Sequence, residues 1–489
     1  MSAMIFPETS PKTWVLPLFR RFWALVFIVV CLFPVPGDGT GERNAALFSF
    51  PGRGVVPVQA ALSSGTERVL SEIADLLAGG DYTGAIAKFD EIHGPLAASV
   101  EIRLLKASVY FSAGMMREAR ALVRELLAAE PNNPDILYVL ASIEDAEGKT
   151  REYRSTLERI INIAPAHLDT LISLGNLQLN NNSWRVAATW FDRALAVDAG
   201  NGDALIGRAE AYRRTNAPER AMELLDRAIQ LYPQWALPRS ERARLHRTAG
   251  DYEAALADLV RARELSPMDY WVACDMGNVL LSLERKREAL AEFSRAARLD
   301  PNNFLAYVYL AGLKDDLGDL DGAAEAYQTL ARLNPGYFYA FEGVGIHRMR
   351  TKQWAEARDA FREAWNHNQD EWGYALLAAA CWMRAERLQA PKQFLETALR
   401  RFSRDSIEWN MLRLYSDLSG DTGMAVRIEQ ERNTVTKARM IFYLALYHDV
   451  RGNSNLANQY FLHVKQLDQK AIPEWRLNEW ICGERNLTL

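Results

Sequence analysis

Small residues return every thirty-four positions along most of this chain, at Ala85, Ala119, Ala187, Ala221, Ala255, Ala289, Ala323, Ala357 and Ala425, with Tyr153 and Pro391 in the two frames that break the series. A fixed period of that length marks stacked supersecondary units, not one globular core. Counting back twelve positions gives a second series, Ala107, Ala141, Gly175, Ala209, Ala243, Gly277, Ala311, Gly345 and Ala379, with Ile73 and Arg413 in the end frames. Four positions after each alanine stands a bulky residue, from Phe89 and Val123 through Phe191, Phe293 and Phe361 to Leu395; only Glu429 departs. A spacing of four puts each alanine and its bulky follower on one helical face. Two small residues per period predict two helices crossing closely in every unit.

Proline closes the frame at Pro131, Pro165, Pro233, Pro267, Pro301 and Pro335, where it cannot donate into a continuing helix. Gly80, Gly114, Gly148, Gly250, Gly318, Gly420 and Gly452 recur where the first helix must end, because glycine takes the left-handed conformation without a side-chain clash. Together these positions resemble the tetratricopeptide repeat over about residues 66–470. The resemblance implies an all-α, right-handed superhelical α-solenoid of about twelve helix-turn-helix units over residues 65–471. Eleven units are in strict phase, and a twelfth, around Ala445, Gly452, Ala457 and Phe461, is displaced by two. Residues 472–489 read as a capping helix, with Trp475, Leu477, Trp480 and Ile481 at helical spacing; docking on a partner is the alternative. The aromatic run from Trp365 and Trp372 through Tyr374, Trp382, Trp409 and Tyr415 to Phe442, Tyr443 and Tyr447 reads as larger packing residues in divergent repeats.

At 489 residues and 49% hydrophobic content the chain could hold several ordinary domains, but the unbroken phase leaves no room for one. A net charge of -5, from 57 basic and 62 acidic residues, gives no nucleic-acid footprint. The first residues differ in kind. Lys12, Arg20 and Arg21 precede an apolar run from Phe22 to Val35, so residues 1–37 read as a signal peptide or a membrane anchor. Cys31 is a candidate for lipid attachment, and Arg20-Arg21 gives a weak twin-arginine match. Residues 38–64, with Gly39, Gly41, Pro51, Gly52, Gly54 and Pro57, read as a flexible tether. The expected location is therefore periplasmic, or tethered to a membrane on its extracytoplasmic side.

Catalytic chemistry is not expected. Seven histidines are spread at most two to a repeat, with no cysteine pair at metal spacing, no nucleophile elbow and no phosphate-cradling glycine loop, so no cofactor and no metal are expected. Asp315-Asp316 and Glu284 with Glu288 read as charged helix faces. Cys274 and Cys381, three repeats apart, are expected to be free and buried, while Cys482 is left open to pairing with another molecule.

What remains is binding. In the family this sequence resembles, first helices line a concave surface, and the corresponding positions here give Asp169, Ile172, Asn176, Leu179 and Asn180, then Asp203, Ile206, Glu210 and Arg213. Ser240, Arg244 and Arg247 follow, then Trp271, Asn278 and Leu281, then Tyr339, Glu342 and Met349. Asn176 and Asn278 stand where the resemblance implies capture of an extended peptide backbone, a carboxamide offering both donor and acceptor. Arg213, Arg244 and Arg247 suit acidic ligand groups, and Trp271 suits an apolar side chain or a sugar face. The clamp for C-terminal carboxylates is absent, since Ile172 and Cys274 occupy the positions where it needs lysine. The expected function is an exported protein-interaction scaffold binding proteins or peptides in cell-envelope assembly or export. A glycan- or lipid-handling protein, contacting its ligand through Trp271, Tyr339 and the C-terminal aromatics, is the alternative.

Overall fold

The computed structural model describes residues 64–385 and 391–489. The export signal or anchor read over 1–37, the candidate Cys31 and the tether up to residue 63 lie outside those residues. Among the described residues there are twenty-five α-helices, two short 3-10 turns and no strand. The first helix of each repeat takes an odd number: α1 Ser64–Ala78, α3 Val100–Ser112, α5 Pro134–Ala146, α7 Leu168–Asn180, α9 Gly202–Arg214, α11 Ala236–Ala249, α13 Tyr270–Ser282, α15 Phe304–Asp316, α17 Phe338–Arg350, α19 Trp372–Ala385, α21 Ile407–Asp417 and α23 Thr434–Val450. The second takes an even one: α2 Tyr82–Lys88, α4 Met116–Ala129, α6 Thr150–Ile163, α8 Trp184–Val197, α10 Pro218–Leu231, α12 Tyr252–Leu265, α14 Lys286–Leu299, α16 Leu320–Leu333, α18 Trp354–His367, α20 Lys392–Leu399, α22 Asp421–Gln430 and α24 Ser454–Leu467. A last helix, α25, spans Trp475–Glu484. The chain forms two compact units, up to Leu245 and from His246 on, each described by itself below.

The period is written into the burial. Ala85, Ala119, Ala187, Ala221, Ala255, Ala289, Ala323 and Ala357 are at most 3% exposed, and Phe191, Phe293 and Phe361 are fully buried. Burying one such ring stabilises by about 1.5–3 kcal/mol, so each repeat carries its own share of core. Capping repeats with the same phase. Ser99, Asn133, Asn201, Asp269 and Asn303 each accept a backbone N–H of the first turn that follows them, satisfying donors that a helix start leaves open. On the second helices Arg159, Arg193 and Arg295 each donate to the carbonyl of the proline twenty-eight residues earlier, Pro131, Pro165 and Pro267, at 2.7–3.0 Å. These struts tie each turn to the next repeat.

The seven turn glycines of the series hold φ between 71° and 95°. Asn182, Asn216, Glu284 and Lys352 occupy the equivalent turns with φ of 57–61°, so the left-handed turn persists without glycine. In the eleventh repeat the phase slips by one. Met424 and Ile428, both 4% exposed, take the buried positions, while Glu429 is exposed. The departure of Glu429 from the bulky series is that slip, not a lost core contact. Cys274, Cys381 and Cys482 are free and buried within the chain, Cys482 at 1% exposure.

Candidate functional site

In the first unit, side chains of α7 and α9 build the face assigned to ligand. Among the helices of this unit, contacts run between consecutive helices and between first helices of neighbouring repeats. Ile172 and Leu179 are buried, at 6% and 5%, and belong to the core rather than to an open surface. Ser240 is likewise buried. Asp169, Asp203 and Ile206 are half-buried, Asn180 is exposed, and Asn176 is half-buried with no hydrogen-bond partner for its carboxamide among the described residues. The arginines are differently placed. Glu210 accepts from Arg213 Nε and Nη2 at 2.7 and 2.8 Å and from Arg214 Nε at 2.9 Å. Burial pushes the Glu210 carboxyl up, but the two guanidiniums outweigh it and hold the group below its usual range. Arg244 Nη1 reaches Glu241 at 2.8 Å. Arg213 and Arg244 therefore meet a ligand already paired with a carboxylate.

In the second unit Arg247 and Trp271 are half-buried, Trp271 standing edge-on to Tyr270 at 5.1 Å. Asn278 reaches the hydroxyl of Tyr309, whose ring stacks on Phe293 at 4.3 Å. Tyr339 is 39% exposed, whereas Met349, at 3%, belongs to the core cluster. Met349 is therefore removed from the open groove positions.

Beyond α17 the first-helix face is covered by the chain itself. α19 is buried continuously from Trp372 to Cys381 and α23 from Met440 to Val450, the pattern of helices enclosed on all sides. Trp372 meets Tyr443 at 5.1 Å, and the Tyr415 hydroxyl donates to the Tyr443 carbonyl at 2.7 Å. Trp372, Tyr374, Tyr415, Phe442, Tyr443 and Tyr447 are all buried, so these aromatics are packing residues and present no surface to a glycan.

Glu342 lies at the edge of this covered region. Burial pushes its carboxyl up to about 7, opposed by the hydrogen bond that Tyr374 donates at 2.7 Å and reinforced by Glu474 and Glu371. A value raised above that of the unfolded chain means stability present in full below about 4.5 and lost as pH rises through about 7. Glu342→Gln is expected to change little near the lower value and to stabilise at alkaline pH by about 1–3 kcal/mol, read from denaturant titrations at both ends.

Tetratricopeptide repeat profiles match residues 76–143, 172–234, 274–338 and 311–371. The chain belongs to the tetratricopeptide repeat superfamily. A protein-interaction scaffold is what such repeats make, and this chain is one. No curated protein matches it. Among solved structures, the APC/C hetero-tetramer Cut9-Hcn1 is 18% identical with a TM-score of 0.45, over 65% of this chain and 64% of that one, just under two thirds of its length. A tetratricopeptide repeat protein from Parabacteroides merdae is 20% identical with a TM-score of 0.40, over 50% of this chain and 97% of its own. YrrB, described as a TPR protein with an unusual peptide-binding site, is 22% identical with a TM-score of 0.33, over 40% and 98%. Among the described residues no group of His, Cys, Asp and Glu could hold a metal ion, and no helix is long and apolar enough to cross a membrane.

Proposed function

We propose that this tetratricopeptide repeat protein is an exported scaffold that holds an extended segment of a partner protein on the first-helix face of its first unit, in cell-envelope assembly or export. One observation carries the choice of face. Asn176 keeps both halves of its carboxamide without a protein partner in a half-buried position, ready to pair with the N–H and C=O of a peptide backbone. Asn180, Asp169 and Asp203 flank it on the same face, while the nearby arginines are already paired, which favours backbone recognition over capture of an acidic group. Burial of Trp372, Tyr374, Tyr415, Phe442, Tyr443 and Tyr447 leaves the glycan reading Trp271, Tyr339 and the half-buried Trp382 and Trp409. Export rests on the apolar run after Arg20 and Arg21.

A photo-crosslinking side chain at position 176 is expected to yield a discrete protein adduct in the native host, and one at the exposed Arg227 none. Asn176→Ala should weaken binding of that captured partner about three- to ten-fold, the loss of one net hydrogen bond. Equal adducts from both positions would sink the placement. A fusion of residues 1–63 to a reporter active only outside the cytoplasm tests export separately.

A further inference from the structure

The second unit carries its own occupant. Arg476, on α25, places Nη1 at 3.0 Å from Asp315 Oδ2 and Nη2 at 2.9 Å from Asp316 Oδ1, across 160 residues of sequence. Pro473, Glu474 and Leu477 line one small cavity with Glu342, Ile346 and Tyr374. Trp480 and Ile481 face Met349, Ala380 and Leu446 across a second cavity of about 240 Å³. Asp315, Asp316, Glu342, Ile346 and Ala380 are first-helix positions of α15, α17 and α19, equivalent by the thirty-four-residue period to those assigned to ligand in the first unit. A segment of this chain is therefore seated where a ligand would be.

We infer that the first-helix face of α15, α17 and α19 is a receptor for an amphipathic helix with an arginine at the position of Arg476, and that residues 472–485 occupy it in cis until a partner helix of the same pattern displaces them. The chemistry is complementary. Asp315 and Asp316 offer an acidic pair to a guanidinium, and the other cations on them, Arg350 and Lys286, stand at 3.4 Å, farther than Arg476 at 2.9–3.0 Å. Apolar side chains at the positions of Leu477, Trp480 and Ile481 line cavities shared with Ile346, Met349, Ala380 and Leu446, at the spacing of a helix read as an anchor series. The Arg476 pair is the loose part of a contact whose apolar side is buried, Leu477 and Ile481 being 1% and 5% exposed. Arg476 keeps 54% of its side chain exposed, and exposed ion pairs hold weakly. The 240 Å³ space beside Trp480 shows that the distal half of α25 fills the face incompletely.

The test uses the full chain and a labelled synthetic peptide of residues 470–489. Fluorescence anisotropy is expected to show the peptide binding the Arg476→Glu chain about ten-fold more tightly than the wild type, because the loosened resident vacates the face. Adding Asp315→Lys and Asp316→Lys should abolish that binding, because the reversed charges repel the arginine of the peptide and hold the resident segment, which now carries the opposite charge. Should Arg476→Glu fail to fold, hydrogen exchange on the wild type decides, with α25 expected to exchange at least about ten-fold faster than α23. Equal protection of the two helices, or no peptide binding to any variant, would overturn the inference. A peptide-competable dimer in sedimentation would replace the partner by a second copy and overturn the trans partner. This site lies in the second unit, so it stands or falls separately from the groove around Asn176.

Discussion

Gly175→Ala and Gly207→Ala together are expected to destabilise the repeats around α8 by about 2–6 kcal/mol, roughly 1–3 for each overpacked site. A Cβ at Gly175 would stand 2.7 Å from the Phe191 ring, and one at Gly207 only 2.3 Å. These glycines lie on successive first helices, α7 and α9, so the fully buried ring is held from both sides and cannot retreat. Phe191→Leu should therefore change sign with background: destabilising beside the two glycines, where it opens a cavity, and stabilising beside the two alanines. Stability in a repeat array is set mainly by neighbouring units. Hydrogen exchange is the suitable readout, with lost protection expected in α7 to α9 and little change in α1 to α3. Additive effects of all three substitutions would show that the wedge has been misplaced.

That wedge is legible, in part, in the amino-acid sequence itself. Where the first helix carries Gly175, Gly277 or Gly345, the bulky residue sixteen positions later is Phe191, Phe293 or Phe361, and a Cβ at each glycine would fall 2.6–2.7 Å from that ring. Where it carries Ala107, Ala141, Ala209, Ala243 or Ala379, the partner is the smaller Val123, Leu157, Leu225, Leu259 or Leu395. Ala311 with Tyr327 breaks the rule for a local reason: Gly343, on the next first helix, makes room for the tyrosine ring at 2.5 Å. A periodic sequence thus tells which face a side chain occupies, because helical spacing fixes direction. It does not tell what lies against that face. Asp315 and Asp316 read as an ordinary charged surface because Arg476, 160 residues away, carries no local mark of its destination. The turns at Glu284 and Lys352 are hidden for a similar reason, since the signal for a left-handed turn is glycine and the conformation there is imposed by the packing of the flanking helices.

The anchor of the resident helix should be far less tolerant than its tip. Glu474, its side chain 2% exposed, accepts from Arg439 Nε at 2.9 and 3.1 Å and from the Tyr443 hydroxyl at 2.7 Å, while Arg439 also bonds Glu371 and lies over the Trp372 ring at 4.9 Å. Arg439→Met is expected to cost about 3–5 kcal/mol, because it leaves a buried carboxylate without its counter-charge. Combining it with Glu474→Gln should recover most of that loss, since desolvating the lone charge is the dominant penalty; a double-mutant cycle in denaturant measures the coupling. Salt separates anchor from tip, because exposed pairs are screened and buried ones hardly are. Raising ionic strength should loosen Arg476 from Asp315 and Asp316 while leaving the Arg439 cluster intact, so that hydrogen exchange rises in α25 but not in α23. Equal salt sensitivity at both ends would mean that α25 moves with α23 as one rigid body, and the face beneath it would then be sealed rather than reserved.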